Sequence, residues 1–90
     1  IRRVNPGGNV STFAGNGTAG LTNGTGTSAE FNLPVGIGVD ASGNFFVADY
    51  VNHCIRRISS GGVVTTFAGS GTGGFMDATG TSAQFNFPAG

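Results

Sequence analysis

The amino-acid sequence predicts an all-β protein built from repeated units of short antiparallel strands. The segment beginning at Ile1 aligns without a gap with the segment beginning at Ile55, an offset of about 54 residues, and about 22 of 36 aligned positions are identical. Alternating β-branched and polar residues are separated by turn-forming Gly, Asn and Asp. No stretch with helical periodicity is long enough to predict an α-helix instead of these strands. The 90-residue chain therefore holds about one and two-thirds repeats of a four-stranded unit.

Residues 1–34 are predicted to form a partial unit. Its segments IRRV and NVSTFAG align with the third and fourth strands of the unit that follows. Residues 15–33 are rich in Gly, Thr and Asn and predict a long loop, partly fixed by burial of Phe31. Because proline restricts the residue before it, Pro34 is expected to keep Leu33 extended.

Residues 35–67 are predicted to form a complete unit of four strands. In VGIGVD, β-branched residues alternate with Gly36 and Gly38, so the glycine face of this first strand is expected to lie close to another backbone. DASGN predicts a turn, and FFVAD, HCIRRIS and VVTTFAG predict the other three strands. Residues 68–90 are predicted to repeat the loop and to start the next unit, with Phe85, Phe87 and Pro88 in the roles of Phe31, Leu33 and Pro34.

The complete unit, FNLPVGIGVDASGNFFVADYVNHCIRRI, resembles the NHL repeat. The shared features are a Pro-x-Gly-Ile strand, an Asp-x-x-Gly-Asn turn, a Val-Ala-Asp strand, and an Asn-His pair before an Ile-Arg strand. The linker TFAGxGTxG is similar to that of long-repeat NHL proteins found among bacterial surface and secreted sequences. The resemblance implies β-propeller blades of four antiparallel strands around a channel, with the first strand innermost. The residues that match the motif, and for which it implies structural roles, are Pro34, Gly36, Asp40, Gly43, Asn44, Asp49, Asn52, His53, Arg56 and Arg57.

The stretch around the only histidine and the only cysteine is expected to be structural. The resemblance places Asn52 and His53 at the entry to the third strand, where Asn tolerates a turn and His can hydrogen-bond across the blade. On a strand, His53 and Cys54 would point to opposite faces and could not hold one metal ion together. Arg56 and Arg57 are also expected on opposite faces, one pairing with Asp49 and the other solvated.

Composition and motifs argue against several classes of function. The net charge is zero, 9% of residues are charged and there is no Lys, so neither nucleic-acid binding nor membrane insertion is expected. Gly15, Gly17 and Gly20 spell G-x-G-x-x-G, but no helix is predicted to follow, which favours a loop over a nucleotide site. No catalytic residues, metal ligands or cofactor are predicted.

The function that the sequence favours is a non-catalytic binding scaffold, extracellular or on the cell surface. Its expected partners are further blades of the same chain or of identical chains, and a protein or glycan ligand. One alternative is a structural repeat of an extracellular fibre that completes its blades between chains. Another is a propeller lyase, although the first strand lacks the histidines that hold zinc in such enzymes. Three sequons are possible N-glycosylation sites, at Asn9, Asn16 and Asn23, but one or two are expected by chance.

Overall fold

The computed structural model describes residues 1–74 and 78–80, and this part of the chain is all-β. Its strands are β1 (Arg2–Val4), β2 (Val10–Thr12), β3 (Gly24–Thr25), β4 (Pro34–Val39), β5 (Phe45–Asp49), β6 (Cys54–Ile58) and β7 (Val63–Ala68). A single 3-10 turn, Gly26–Ser28, follows β3. The predicted fold class is thus confirmed. The roles expected of Phe85, Phe87 and Pro88 lie outside the described residues.

Strands β4 to β7 form one antiparallel sheet in chain order. Ile37 of β4 lies opposite Val47 of β5, and Val47 lies opposite Arg56 of β6. Each neighbouring pair is joined by a short connection, so the sheet has the four-stranded meander predicted for a blade. Strands β1 and β2 form a separate two-stranded sheet, the first hairpin.

The segment of residues 15–33, here called the interblade loop, is more ordered than predicted. Its strand β3 adds to the outer edge of β7, where Thr25 lies opposite Val63. At the end of β3 the Gly26 N–H donates to the Gly62 carbonyl oxygen at 2.8 Å. The loop therefore crosses to the far edge of the blade before returning to β4. The sequence did not predict this strand, because Gly24 and Thr25 are paired through β7, which lies far away in the chain.

The sequence repeat is also a repeat of backbone geometry. Gly15 and Gly69, which are aligned, have φ angles of 97° and 99°. Their N–H groups donate to the carbonyl oxygens of Gly26 and Gly80, each at 3.1 Å. Such φ angles favour glycine, which explains why both copies carry it. The two copies therefore share the same turn at these glycines.

The core lies on one side of the blade, between the sheet and the segment that precedes it. Its buried members are Ala14, Ala29, Phe31, Val47, Ile58 and Val64. Ile1 and Phe13, which flank the first hairpin, pack against this core, and the ring of Phe13 meets that of Phe45 edge-on with centroids 5.6 Å apart. Aromatic pairs prefer this arrangement. On the opposite face, Phe46 and Phe67 form a second edge-on pair at 5.0 Å.

Strand β4 lies at the free edge of the sheet. The expected close approach of another backbone is absent at Gly38 among the described residues, since an added Cβ there would have open space around it. Its other face exposes Val35, Ile37 and Val39. An edge position explains both observations, because only β5 flanks β4 in this sheet.

One backbone expectation was wrong. Leu33 has a φ of 55° and is not extended, although Pro34 follows it. Hydrogen bonds hold its segment: the Tyr50 N–H donates to Leu33 O and the Val51 N–H donates to Asn32 O. At the β5–β6 turn, Asn52 lies within the turn, and the residue with a left-handed backbone is His53, with φ 51°.

Candidate functional site

A buried ion pair lies at the centre of the blade. Arg56 Nη1 donates to Asp49 Oδ2 at 2.8 Å, and both side chains are fully buried. The two residues share a face because β5 and β6 are antiparallel and place Val47, two residues before Asp49, opposite Arg56. Asn52 Nδ2 donates to the same Asp49 oxygen at 2.7 Å. The sequence predicted that one of the two arginines pairs with Asp49, without deciding which. In the structure, the partner of Asp49 is Arg56.

The same guanidinium holds the interblade loop. Nη1 also donates to Glu30 O at 2.6 Å, while Nη2 donates to Thr22 O at 3.1 Å and to Asn23 Oδ1 at 2.7 Å. The guanidinium carbon lies 4.9 Å from the centre of the Phe31 ring, a cation–π contact. Arg56 thus joins the third strand of the blade to the loop that precedes the blade.

Asp49 and Asn52 complete this attachment from the other side. Asp49 Oδ1 accepts the Asn32 N–H at 2.8 Å, and Asn52 Nδ2 donates to Gly20 O at 2.7 Å. Five loop residues therefore contribute polar contacts to what is here called the loop anchor: Gly20, Thr22, Asn23, Glu30 and Asn32. Among the described buried side-chain polar atoms, Arg56 Nε alone has no hydrogen-bond partner. Buried charges are costly unless they are paired and hydrogen-bonded. The anchor supplies these partners to Asp49 and Arg56, which is its structural role.

Sequence reasoning missed the loop half of this anchor. Three of its contacts use backbone carbonyls, of Gly20, Thr22 and Glu30, which carry no residue-type signal. One clue was available at Asn23, because the aligned position in the second copy is Asp77. Both side chains present an acceptor oxygen.

Four further motif residues, Asp40, Gly43, Asn44 and Arg57, meet at the turn that follows β4. Asp40 Oδ1 accepts the backbone N–H groups of Ser42 and Asn44, both at 2.9 Å, and Gly43 takes a φ of 85°. The Asn44 hydrogen bonds, then that of Ser42 and the nearby Arg57 charge, hold the pKa of Asp40 below its ordinary value. Arg57 Nη2 donates to Asn44 Oδ1 at 2.9 Å. Arg57 was expected to be solvated, but it is half-buried because it braces this turn.

Two further motif residues belong to the start of β4. Pro34 opens the strand opposite Asp49, and Gly36 lies opposite Ala48, with a bulge between the two pairs. The bulge already interrupts the regular pairing of β4 with β5 at this point. Pro34, which has no N–H to donate, is therefore tolerated there.

The neighbouring residues His53 and Cys54 lie in different surroundings, His53 half-buried and Cys54 buried. Cys54 begins β6 and is fully buried. Burial, followed by the negative charge of Asp49, raises the pKa of Cys54 to about 11, which suppresses the reactive thiolate. His53 lies in the turn before the strand, so the argument from strand alternation does not apply to it. Among residues 1–74 and 78–80, no group of three His, Cys, Asp or Glu side chains could hold a metal ion.

The remaining sequence motifs lie on the loops. The glycines of G-x-G-x-x-G lead into an extended loop, and the 3-10 turn that follows has three residues. Asn9 and Asn16 are exposed, and Asn16 Nδ2 donates to Glu30 Oε2 at 3.2 Å. Asn23 is also exposed as a residue, but its Oδ1 belongs to the loop anchor. N-linked sugar is carried on Nδ2, so at Asn16 it would fall on the nitrogen that donates to Glu30, whereas at Asn23 the Oδ1 acceptor would be retained.

In the part of the chain that the structure describes, no helix is long and apolar enough to cross a membrane.

The fold and the buried anchor define a class: an all-β protein of propeller-type blades. Within it, residues 31–58 match the family model of the NHL repeat. The chain therefore carries an NHL repeat, as the sequence resemblance predicted, and the match spans the end of the interblade loop and strands β4 to β6.

Solved structures show the same fold. A structural genomics protein of unknown function from Bacteroides thetaiotaomicron VPI-5482 is 30% identical, with a TM-score of 0.87 over 98% of this chain and 23% of its own. An auxiliary nutrient binding protein from the same strain is 28% identical, with a TM-score of 0.76 over 97% of this chain and 25% of its own.

A third similar structure is an auxiliary nutrient binding protein from Bacteroides ovatus ATCC 8483. It is 23% identical and has a TM-score of 0.76, over 98% of this chain and 25% of its own. The chain thus spans about a quarter of the length of the solved structures that it matches. No curated protein matches it.

Proposed function

We propose that this chain is part of a non-catalytic β-propeller, extracellular or on the cell surface, that acts as a binding scaffold for a protein or glycan. The observation that carries the proposal is the loop anchor. The fully buried charges of the described blade, Asp49 and Arg56, serve to fix the interblade loop. Loops fixed on a rigid frame are where proteins commonly place their binding residues.

The anchored loop exposes a short polar stretch of residues 16–19, Asn-Gly-Thr-Ala. Asn16 Oδ1 accepts the Thr18 N–H at 2.8 Å, and Asn16 also contacts the Glu30 carboxylate. The hydrogen bonds from Thr22 and Asn16 lower the pKa of Glu30, so this carboxylate is ionised at neutral pH. Amide, hydroxyl and carboxylate groups in a preformed arrangement suit the hydroxyl groups of a glycan or the backbone of a peptide.

The similar solved structures support a binding role but name no particular ligand. Two of the similar solved structures are described as auxiliary nutrient binding proteins, and the more similar of these is 28% identical. Against catalysis, the described residues offer a cysteine whose pKa is raised and a buried ion pair that forms structural contacts. An enzyme would need a nucleophile or an acid–base pair facing a substrate.

The experiment is a binding screen of the source protein against immobilised oligosaccharides and peptides. A hit is then measured with two single variants, Thr18→Ala in the anchored loop and Ser42→Ala in the turn at the other end of β4. Both remove one hydroxyl from an exposed residue. We expect Thr18→Ala to weaken binding several-fold and Ser42→Ala to leave it unchanged.

Equal effects of the two variants would place the ligand elsewhere on the protein. A specific turnover that is lost in Asp49→Asn or His53→Ala without loss of fold would replace the proposal with an enzymatic function.

A further inference from the structure

The interblade loop contains the tripeptide Asn-Gly-Thr twice, at residues 16–18 and 23–25. In an Asn-Gly sequence the backbone nitrogen of the glycine can attack the asparagine side chain with little steric hindrance, because glycine has no side chain beside that nitrogen. Since the two tripeptides are identical, the fold is what distinguishes their chemistry. The structure holds the two asparagines in opposite ways.

The first Asn-Gly pair lies on the exposed part of the loop. Asn16 and Gly17 are both exposed, and neither belongs to a strand. An added Cβ at Gly17 would meet nothing within 4 Å. A cleft of about 790 Å³ is lined in part by Asn16, Gly17 and Thr18, so water reaches this peptide. The Gly17 nitrogen is thus accessible to a base from solvent.

The Asn16 side chain is also held in a suitable arrangement. Its Oδ1 accepts the Thr18 N–H at 2.8 Å. This hydrogen bond folds the side chain back along the intervening peptide, which keeps its carbonyl carbon, Cγ, near the Gly17 nitrogen. The same N–H stabilises the negative charge that develops on Oδ1 when a nucleophile adds to Cγ.

The second Asn-Gly pair is fixed at both of its residues. Asn23 Oδ1 accepts hydrogen bonds from Arg56 Nη2 at 2.7 Å and from the Thr66 hydroxyl at 3.4 Å. Gly24 belongs to β3 and lies opposite Val64 of β7. Attack on the Asn23 side chain by the Gly24 nitrogen would therefore require the loop anchor and the β3–β7 pairing to open first.

We propose that Asn16 is a site of spontaneous deamidation, from which the fold protects Asn23. The Gly17 nitrogen loses its proton to solvent and attacks Asn16 Cγ, and the new bond closes a succinimide ring. The bond from Cγ to Nδ2 breaks, and Nδ2 takes up a proton from solvent and leaves as ammonia. Water then adds to one of the two ring carbonyls and opens the ring, which gives aspartate or isoaspartate at position 16.

This modification would change the electrostatics of the loop. Asn16 Nδ2 donates to Glu30 Oε2 at 3.2 Å, and after the hydrogen bond from Thr22 this contact is the next cause of the lowered pKa of Glu30. A carboxylate at position 16 only accepts hydrogen bonds and repels Glu30, so the contact would be lost. Deamidation should then weaken ligand binding by residues 16–19, a consequence that rests on the proposed function.

The test incubates the source protein at pH 8, native and in concentrated urea, and locates each deamidation by proteolysis and tandem mass spectrometry. In the native protein we expect Asn16 to react at least about tenfold faster than Asn23, since Asn23 reacts only when β3 opens. In urea the identical tripeptides are unfolded, and their rates should become similar. Asn16→Gln, which lengthens the side chain but keeps the amide, should abolish rapid modification at position 16.

Equal native rates at Asn16 and Asn23 would overturn the proposal, as would an Asn16 that reacts in urea but stays unmodified in the native protein. The variant Asn16→Asp reproduces one product and should weaken binding of a ligand found in the screen several-fold, while Ser42→Ala leaves it unchanged. Unchanged binding by Asn16→Asp would overturn the inferred effect on the ligand. The deamidation rates decide the proposal whether or not the screen finds a ligand, so its failure is distinguishable from failure of the proposed function.

Discussion

The guanidinium carbon of Arg56 lies 4.9 Å from the centre of the Phe31 ring, and Nη1 of the same side chain lies 2.8 Å from Asp49 Oδ2. One buried cation therefore contacts the second strand of the blade and the loop that precedes the blade. Removing it would break both attachments at once.

We expect Arg56→Met to cost about 3–5 kcal/mol of unfolding free energy, because it leaves the Asp49 charge buried without its cation. The matched control is Arg57→Met, which removes the same group from the next residue. Arg57 is only half-buried and loses one hydrogen bond, so its cost should be about 1 kcal/mol. Urea unfolding of both variants measures the difference. Equal costs would contradict the central place given to the Asp49–Arg56 pair.

Three glycines separate the effect of backbone strain from that of a steric clash. A Cβ at Gly69 would lie 2.7 Å from Cys54 Cα and from His53 O, and the φ there is 99°. At Gly17 the φ is 84° but the surroundings are open, and at Gly38 neither problem exists. We expect Gly69→Ala to cost more than about 2 kcal/mol, Gly17→Ala about 1, and Gly38→Ala close to nothing.

Thermal unfolding at one pH ranks these three variants. A Gly69→Ala protein as stable as Gly17→Ala would show that the backbone around Cys54 gives way at little cost.

Cys54 should resist alkylation in the folded protein. With its pKa raised to about 11, roughly one thousandth of the thiol is ionised at pH 8, and burial blocks access in addition. Mass spectrometry after iodoacetamide treatment at pH 8 should show an unmodified native protein and complete labelling in concentrated urea. Rapid labelling without urea would mean that the β6–β7 region opens readily.

The turn at Asp40 should make stability depend on acid pH. Its pKa is lower in the folded protein than the ordinary value of 3.8, so the ionised carboxylate stabilises the fold above that value. This contribution is lost as the pH falls through the folded pKa. Asp40→Asn should therefore lower stability at pH 7 and flatten its decline below about pH 4.

The control for this pH profile is Ser42→Ala, which keeps the carboxylate and the backbone N–H that it accepts. Chemical unfolding between pH 2.5 and 7 gives both profiles. An Asp40→Asn protein that declines as steeply as the parent would assign the acid sensitivity to another group.

Much of the architecture could be predicted from local patterns. The repeat, the strand periodicity and the DASGN turn identified four antiparallel strands, because each of these signals depends on a few consecutive residues. Asp49 was also predicted to pair with an arginine, and the partner was correctly limited to Arg56 or Arg57. It could not be decided from the residues alone, since Arg56 and Arg57 differ only in the face that each presents.

The failures share a cause. Strand β3, the left-handed backbone of Leu33 and the acceptors around Arg56 all depend on contacts between segments far apart in the chain. Leu33 is held by the turn after β5, and Gly24 by its pairing with β7. The conformational preference of a single residue contains no information about such distant partners.

By itself, the sequence determined that this protein is a repeat of short antiparallel strands, because strand alternation and turn chemistry are local and were present twice. Only the tertiary structure decided which arginine is buried and where the interblade loop goes. Those outcomes depend on burial and long-range hydrogen bonds, since a charged side chain enters the interior only where the folded chain gathers enough acceptors around it.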